Sequence, residues 1–386
     1  MNIDKTQSID DLRQVAKRRL PQILFELIES GVESEEALSR NREAFKDYTF
    51  VARYLGDIAE RKQSVEVFGR RYASPFGIGP TGFAGLMRKG LDESLAEAAA
   101  AADIPFVLSG ASIASIETIS RIAPRNTWAH LYPAKDVAIT GRILDRYAAA
   151  DVETLVVTVD NPVFPKRERD NRNGFILPLR MPLPIMLEAL LHPGWMLEYF
   201  GNGGMPMMGS WRDYAPAGSS AEQVATFFRS QSPSTQTWAS IAAMRRIWAG
   251  KFVLKGIQHP DDATRAIDEG IDGLIVSNHG GKSFDPLPSP LVTLPGVRAA
   301  AAGRIPVMFD SGIRRGAEIL VAKALGADFV FVARATLYGA VAGGRPGADK
   351  AIGILRSEVD MSLAMIGVND IANLASSHLI QKGRTA

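Results

Sequence analysis

The sequence predicts an α/β protein built on a (β/α)8 TIM barrel. Eight short runs of apolar or β-branched residues recur after residue 75, with helical patterns between them. The runs do not alternate apolar and polar residues, which is typical of strands buried on both faces of a parallel sheet. Eight strand–helix units favour a closed barrel over an open sheet. The predicted strands are 75–79, 105–109, 127–132, 154–160, 252–255, 273–278, 306–310 and 328–334.

The barrel, residues 75–386, is predicted to be the main part of a single domain that spans residues 1–386. Residues 1–74 form a predicted N-terminal helical extension, in which Ser8 can cap a first helix and Pro21 can begin a second, ended by Gly31. The segment between the fourth and fifth strands, about ninety residues, is too long for one crossover helix. We therefore predict an insertion or lid at 175–235, on the barrel face where active sites lie.

The insertion has an unusual composition. Residues 181–208 are rich in Met, Leu, Pro and aromatic residues and contain no lysine or arginine. A helix that lies on a membrane normally has a basic face, so a lid or an oligomer contact is the favoured interpretation, with peripheral membrane contact as the alternative. Residues 214–234 are rich in serine and glutamine and are predicted to form a mobile loop.

Composition excludes several classes of function. The 386 residues carry a formal net charge of +2, which gives no indication of nucleic-acid binding. The chain has no cysteine, so disulfides, thiolate metal sites and a cysteine nucleophile are excluded. No histidine pair has metal-ligand spacing, and no metal is predicted. Because the N-terminus lacks a signal-peptide pattern and no apolar run is long enough to span a bilayer, we expect a cytoplasmic protein.

Polar residues cluster at the C-terminal ends of the predicted strands, which is the strongest functional signal in the sequence. His279 follows the sixth strand, and Asp160 ends the fourth. A carboxylate can orient an imidazole and stabilise its protonated form, so His279 is predicted to be a catalytic base. Lys255 ends the fifth strand, where a buried cation is costly unless it is used, although its apolar stem could also carry the charge to the barrel mouth.

The last two strand ends indicate a phosphate site. Gly312 permits close approach of a backbone, and amides at the following helix start can donate to an anion. Arg314 and Arg334 add charge-assisted donors, and barrels often bind phosphate after strands seven and eight. Residues 77–82, GIGPTG, also match the dinucleotide-binding motif, but Pro80 interrupts the helix that this motif requires. Dinucleotide binding is therefore disfavoured.

These residues resemble a known family. The string Ser277-Asn278-His279-Gly280-Gly281, with Asp285 four positions on, is similar to the signature of the FMN-dependent α-hydroxy-acid oxidases and dehydrogenases. The insertion, with Leu191-His192-Pro193 and Trp195, looks most like that of the mandelate and bacterial lactate dehydrogenases. The resemblance implies FMN as cofactor and a homotetramer. Further segments that match the family pattern lie at 19–21, 41–45, 80–82, 158–160, 255–256, 310–316 and 326–327.

The resemblance also implies a role for each matching residue. His279 would remove the α-proton of the substrate with Asp160 as its partner, and Tyr132 would hydrogen-bond the substrate. Lys255 would stabilise the reduced flavin. The substrate-binding positions are Arg167, Lys282, Leu27 and Ala111. The cofactor-binding positions are Pro80, Thr81, Gly82, Ser109, His130, Thr158, Lys255, Ser277, Asp310, Gly312, Arg314, Ala333 and Arg334.

Four positions depart from the family pattern. Lys282 stands where the family has an arginine that forks onto the substrate carboxylate, and lysine loses that planar bidentate geometry. Leu27 stands in place of a carboxylate-binding tyrosine. His130 replaces a flavin-contacting glutamine, and Ala333 replaces a glycine of the phosphate loop. The residues that contact the flavin in the family are thus largely retained. The two residues that bind the substrate carboxylate in the family, here called the clamp, are both replaced by weaker partners.

Three hypotheses of function follow. The first is FMN-dependent oxidation of a bulky or aromatic, mandelate-like 2-hydroxy acid to the 2-oxo acid. The second keeps the flavin chemistry but takes an amide, ester or peptide-derived alcohol or amine, because the clamp is weakened. The third is a non-catalytic flavin-binding protein, which the retained His279, Asp160, Tyr132 and Lys255 disfavour. The electron acceptor is expected to be oxygen or a quinone, and membrane contact through 181–208 would place the protein on the inner face of the membrane.

Overall fold

The N-terminal segment contains three helices followed by three short strands. The computed structural model describes residues 2–383. Ser8 caps the first helix as expected, because its side chain accepts from the Asp11 N–H while the Asp11 carboxylate accepts from Ser8. The predicted helical extension over 1–74 is wrong after residue 47, where strands replace helices. The elements are α1 (Ile9–Arg19), α2 (Gln22–Glu29), α3 (Glu36–Glu43), β1 (Tyr48–Phe50), β2 (Val65–Val67) and β3 (Arg70–Tyr72).

Strands β2 and β3 form a hairpin at the N-terminal end of the barrel. Phe68 and Gly69 at its turn have φ values of 53° and 78°, the left-handed backbone that two-residue hairpin turns favour. Val67 and Tyr72 are buried in the same apolar cluster as Trp128, which lies inside the barrel. This end of the barrel is therefore sealed by apolar packing.

The barrel strands and their helices follow in order. Strands β4 to β11 close into a parallel barrel, which confirms the predicted (β/α)8 TIM barrel, and β12 pairs antiparallel with β1. The elements are β4 (Phe76–Ile78), α4 (Ala84–Met87), α5 (Leu91–Ala101), β5 (Phe106–Leu108), α6 (Ile116–Ile122), β6 (Thr127–Leu131), α7 (Val137–Ala149), β7 (Thr154–Thr158), α8 (Glu168–Arg172), α9 (Leu183–Ala189), α10 (Pro193–Gly201), α11 (Ala221–Gln231), α12 (Trp238–Ile247), β8 (Lys251–Lys255), α13 (Pro260–Asp268), β9 (Gly273–Val276), α14 (Pro290–Ala301), β10 (Val307–Phe309), α15 (Gly316–Ala324), β11 (Phe329–Val332), α16 (Arg334–Gly343), α17 (Arg345–Ile366) and β12 (Leu379–Gln381).

The barrel interior changes character along its axis. Seven strands place a buried apolar side chain inside: Val107, Trp128, Val156, Val253, Ile275, Met308 and Phe331. Because side chains alternate between the faces of a strand, the residue two positions further on faces inward again. These residues, here called the mouth ring, are Ser109, His130, Thr158, Lys255, Ser277, Asp310 and Ala333. The interior is thus apolar in its depth and small or polar at its C-terminal mouth.

The segment between β7 and β8 contains α8 to α12. Its helix α10 is attached to the barrel, because Trp195 Nε1 donates to the Leu86 carbonyl at 2.9 Å. The predicted loop over 214–234 is wrong for residues 221–231, which form α11. Ser220 caps α11, and Val224 and Phe228 on its inner face are buried. The apolar spacing of this segment therefore outweighs its polar composition.

Candidate active site

A cavity of about 600 Å³ opens at the C-terminal mouth of the barrel, a size typical of small-molecule sites. Fifteen of the twenty predicted site residues line the cavity: Leu27, Pro80, Thr81, Gly82, Ala111, Tyr132, Arg167, Lys255, His279, Lys282, Asp310, Gly312, Arg314, Ala333 and Arg334. The other five lie behind the wall and contact residues that line it or each other: Ser109, His130, Thr158, Asp160 and Ser277.

The imidazole of His279 is held between two side chains. Its Nδ1 lies 2.9 Å from Asp160 Oδ1, and because an ionised carboxylate can only accept, Nδ1 carries the ring proton. Its Nε2 lies 3.0 Å from the Tyr132 hydroxyl, which then donates to the unprotonated nitrogen. The tautomer therefore leaves the basic nitrogen of His279 on the side of Tyr132, a residue of the cavity wall.

The electrostatics favour this protonation state. Burial lowers the pKa of His279; Asp160 offsets this in part, and Lys255 lowers it further, so the net result lies below the usual imidazole range. Burial alone would raise the pKa of Asp160, but the charges of His279 and Lys255 outweigh it and leave that pKa lowered. Burial raises the pKa of Tyr132 to about 12. At neutral pH the site holds a neutral imidazole, an ionised aspartate and a protonated tyrosine, as base chemistry requires.

The backbone that carries His279 is left-handed at three successive residues. The φ angles are 60° at His279, 65° at Gly280 and 78° at Gly281. A left-handed residue other than glycine is strained, and such residues cluster at active sites. A Cβ on Gly281 would lie 2.8 Å from the backbone of Leu38, so this loop can approach the N-terminal segment only with glycine there.

Lys255 is a buried cation at the mouth ring. Its Nζ donates to Ser277 Oγ at 3.0 Å and lies 3.2 Å from Asp310 Oδ2. Burial lowers the pKa of an amine, but Asp310 and Asp160 outweigh this effect and hold the pKa of Lys255 above its usual value. Ser277 Oγ also accepts from the His279 N–H at 3.0 Å. The ammonium is therefore fixed in place and linked to the loop that carries His279.

The predicted phosphate site is only partly as expected. Gly312 has a φ of 87°, and a Cβ there would lie 2.3 Å from the Asn41 carbonyl oxygen, so glycine is required. However, the amides at the start of α15 are not free for an anion. The Glu318 carboxylate accepts from the Arg314 N–H at 2.6 Å, and Glu358 accepts from the Gly316 N–H at 2.7 Å. The helix start that faces the cavity is instead that of α16, through Ala333, Arg334 and Leu337.

Two cations of the cavity wall bind the C-terminal end of α2. Lys282 Nζ donates to the Leu27 carbonyl at 2.6 Å. The Arg334 guanidinium donates to the carbonyls of Ile28, Gly280 and Ser30 at 2.7, 2.8 and 3.0 Å. Cations at a helix C-terminus interact favourably with its dipole. Burial, reinforced by Arg334 and Arg167, holds the pKa of Lys282 well below its usual range, which weakens Lys282 as a partner for a carboxylate.

Further residues of the segment between β7 and β8, two of them before the predicted insertion at 175–235, also line the cavity, and sequence reasoning missed them. Phe164, Phe175, Leu177 and Phe228 form an apolar part of the wall. Asp170 lines it as well, and both of its carboxylate oxygens are buried without a hydrogen-bond partner in the part of the chain that the structure describes. The composition of the insertion signalled an apolar surface, but no local pattern shows which of its side chains turn inward.

A model of the FMN-dependent dehydrogenase family matches residues 16–381. The chain belongs to this family. The (S)-mandelate dehydrogenase of Pseudomonas putida is 37% identical over 378 residues, which cover 98% of this chain and 95% of that protein. An L-lactate dehydrogenase of Xanthomonas campestris pv. campestris (strain B100) is 33% identical over 376 residues, covering 97% of each. The crystal structure of the monotopic membrane protein (S)-mandelate dehydrogenase matches with a TM-score of 0.93 and 36% identity, covering 98% of this chain and 100% of that one.

The family identifies the protein as an FMN-dependent oxidoreductase of the 2-hydroxy-acid dehydrogenase group, and the residues present fit the cofactor. Lys255 places a buried cation in the wall of the cavity. Gly82 packs closely against Ala111, since a Cβ there would lie 3.3 Å from the Ala111 side chain. The lining is net positive, which suits a phosphate group. Even without Lys282, whose pKa is held low, it carries Arg167, Arg229, Lys255, Arg314 and Arg334 against Asp170 and Asp310.

Proposed function

We propose that this protein oxidises a bulky or aromatic 2-hydroxy acid to the 2-oxo acid. The observation that carries the proposal is the state of His279: a neutral ring whose unprotonated Nε2 lies 3.0 Å from the Tyr132 hydroxyl at the wall of the cofactor cavity. Oxidation of a 2-hydroxy acid removes two electrons and two protons, so it requires a base for one proton and an acceptor for the two electrons and the other proton. FMN, when bound, would supply that acceptor.

The residues around His279 have distinct tasks in this proposal. His279 takes the substrate proton at Nε2. Asp160, 2.9 Å from Nδ1, stabilises the resulting imidazolium and sets the orientation of the ring. In this proposal Tyr132 stays protonated and, with substrate bound, turns its hydrogen from His279 Nε2 to the substrate oxygen, which frees Nε2 to accept the proton. Lys255 stabilises negative charge on the cofactor, and the apolar side chains of the insertion exclude water from the cavity.

The wall of the cavity supports a bulky substrate. Phe164, Phe175, Leu177 and Phe228 give the insertion side an apolar lining that a small acid such as lactate would leave unfilled. The relative from Pseudomonas putida is named for (S)-mandelate, an aromatic 2-hydroxy acid. We therefore expect mandelate to react faster than lactate.

A substrate without a free carboxylate is the second candidate, and Lys282 is the observation that favours it. Its ammonium already donates to the Leu27 carbonyl at 2.6 Å, and its pKa is held low. Anaerobic mixing of the enzyme with (S)-mandelate, L-lactate and their amides separates the two candidates, with loss of the visible flavin band as the readout. Bleaching by the acids supports the first proposal, whereas bleaching by the amides alone replaces it with the second.

Restoring the family clamp is expected to improve binding of an acid. In the double variant Lys282→Arg with Leu27→Tyr, an arginine fork and a hydroxyl become available to the substrate carboxylate. Charge-assisted hydrogen bonds contribute about 1.5–3 kcal/mol each, so we expect KM for (S)-mandelate to fall at least tenfold. The KM of mandelamide, which has no carboxylate, serves as the control and should change little. An unchanged KM for the acid would contradict this account of the clamp.

We infer peripheral membrane contact through the insertion, residues 181–208. No described helix is long and apolar enough to cross a bilayer. The carboxylates of this segment turn inward, since Glu188 accepts from the Gln22 N–H and Glu198 pairs with Arg19. A quinone dissolved in the membrane is then the favoured electron acceptor over oxygen. The exposed apolar side chains are Leu183, Met186, Leu187, Leu190, Leu191, Leu197 and Phe200, and such a patch marks an interaction surface.

Charges placed on this patch are expected to release the protein from membranes. The double variant Leu187→Glu with Leu191→Glu replaces two side chains that are 57% and 76% exposed. Burial of one leucine contributes about 1.5–3 kcal/mol, so cosedimentation with lipid vesicles should fall more than tenfold. Met361→Glu with Met365→Glu, at sites 60% and 62% exposed on α17 and outside this patch, is the matched control. Equal cosedimentation of both variants would rule out the insertion as the contact.

A further inference from the structure

His130 occupies a cofactor-binding position of the family pattern but does not line the cavity. Its side chain is fully buried, and both ring nitrogens have partners within the protein. Nδ1 accepts from the Gly110 N–H at 3.2 Å, and Nε2 lies 2.7 Å from Thr158 Oγ1. The ring also packs edge-on against Tyr132, with centroids 4.5 Å apart. Both ring nitrogens of His130 are therefore occupied by the protein, which leaves neither of them for a flavin.

These contacts fix the tautomer of His130. A backbone N–H can only donate, so Nδ1 must be unprotonated. The single proton of a neutral ring is then on Nε2, which donates to Thr158. A doubly protonated ring would place two donors against each other at Gly110. Burial, together with the charges of Lys255 and His279, also lowers the pKa of His130 well below its usual range.

Thr158 must consequently place its own hydrogen elsewhere. Its oxygen already accepts from His130, and its hydroxyl has no other hydrogen-bond partner among residues 2–383. Thr158 belongs to the mouth ring and pairs in register with Lys255 on the neighbouring strand. The hydroxyl hydrogen is therefore free for donation to a group bound above the mouth ring, where Thr158 keeps 4% of its surface exposed.

We propose that His130 is a positioning residue that holds Thr158 as a hydrogen-bond donor to the flavin and thereby favours flavin reduction. The inference rests on FMN binding at the mouth ring, as in the proposed function. Donors bind a charged acceptor more strongly than a neutral one. A donor fixed beside Lys255 therefore stabilises the negatively charged reduced cofactor more than the oxidised one, which raises the midpoint potential.

The test is a double-mutant cycle on the midpoint potential of FMN in the holoenzyme, measured by dye-equilibrated spectral titration. Thr158→Val removes the hydroxyl at constant shape and is expected to weaken flavin reduction about tenfold, a fall of about 30 mV for a two-electron couple. His130→Phe keeps an aromatic ring but removes the donor to Thr158, and a fall of about threefold, or about 14 mV, is expected. Combined with Thr158→Val, His130→Phe should have no further effect.

A variant on the same strand serves as the control. Thr127→Val removes a buried hydroxyl on the same strand as His130, one that donates to the Ala123 carbonyl at 2.8 Å, and should leave the potential unchanged.

The outcomes separate this inference from the proposed function. The inference would be overturned if His130→Phe lowered the midpoint potential by its full amount in the Thr158→Val variant, or if it left the potential of the unaltered enzyme unchanged. Neither result would contradict FMN binding. Protein that binds no FMN would overturn the proposed function itself. If His130→Phe does not fold, nitrogen NMR of the unaltered enzyme decides instead: the Nε2–H tautomer is expected at His130, and the Nδ1–H tautomer would contradict the inference.

Discussion

Replacement of His279 by asparagine is expected to slow anaerobic flavin bleaching by (S)-mandelate by about 10²–10⁴-fold. Asparagine has no nitrogen that can take a proton, yet it tolerates the left-handed backbone, with φ of 60°, that this position requires. FMN should therefore still bind, and only the proton step should be lost. Rapid mixing with measurement of the visible flavin band gives the rate constant directly.

A matched variant and a pH profile identify the cause of this loss. His259→Asn changes an exposed histidine that caps α13, where asparagine also caps well, so its rate should stay within about twofold. For the unaltered enzyme, the base is competent above the pKa of His279 and is lost as pH falls through it. Because burial lowers that pKa, the rate should be constant around neutral pH and fall tenfold per unit only below the usual imidazole range. A His279→Asn enzyme that bleaches normally would exclude His279 as the base.

Lys255→Met is expected to cause the largest combined loss of stability and cofactor. The side chains of Lys255 and Asp310 are only 4% and 14% exposed, and their charged atoms lie 3.2 Å apart. Removing one partner of a buried ion pair leaves the other uncompensated, which costs about 3–5 kcal/mol. The variant also lacks the cation proposed to face the flavin. We expect a lower Tm and a reduced ratio of bound FMN to protein after purification.

The same strand provides the control for this prediction. Lys251, at the other end of β8, pairs with Asp272 at 3.3 Å but is 47% exposed. Exposed ion pairs contribute about 0–1 kcal/mol, so Lys251→Met should leave both Tm and FMN content nearly unchanged. Adding Asp310→Leu to Lys255→Met removes the unpaired carboxylate and should recover stability but not FMN content. A Lys255→Met protein that is as stable and as yellow as the original would contradict the assigned environment of Lys255.

The barrel could be predicted because its signals are local. Strands such as β7 and β11 are short apolar runs, and a parallel barrel buries both faces of every strand. The polar residues of the mouth ring are also local signals, since the sequence places them at the C-terminal ends of predicted strands, which meet at one face of a barrel. That rule brings together Thr158, Lys255 and Ser277, which are far apart in the chain.

The remaining features depend on contacts between distant segments. The start of α15 looked like an anion site, but Glu318 and Glu358 accept from its amides, and Glu358 lies in α17. Lys282 could be compared with the arginine of the family, but its bond to the Leu27 carbonyl could not be foreseen from spacing. Likewise, the two bonds of His130 arise from the ends of three neighbouring strands, β5, β6 and β7, whose pairing register is known only from the fold. The residue types at the barrel mouth can therefore be identified from the sequence, whereas the hydrogen-bond partners of their side chains can be assigned only from the fold.

The central claim is that a bound flavin faces His279 and accepts the electrons of a 2-hydroxy acid. The most direct measurement is anaerobic titration of the purified, FMN-loaded protein with (S)-mandelate, followed by the visible flavin band and by assay of the 2-oxo acid. The account predicts complete bleaching, with one 2-oxo acid formed for each flavin reduced. A protein that cannot be loaded with FMN, or a flavin band that no 2-hydroxy acid alters, would contradict it.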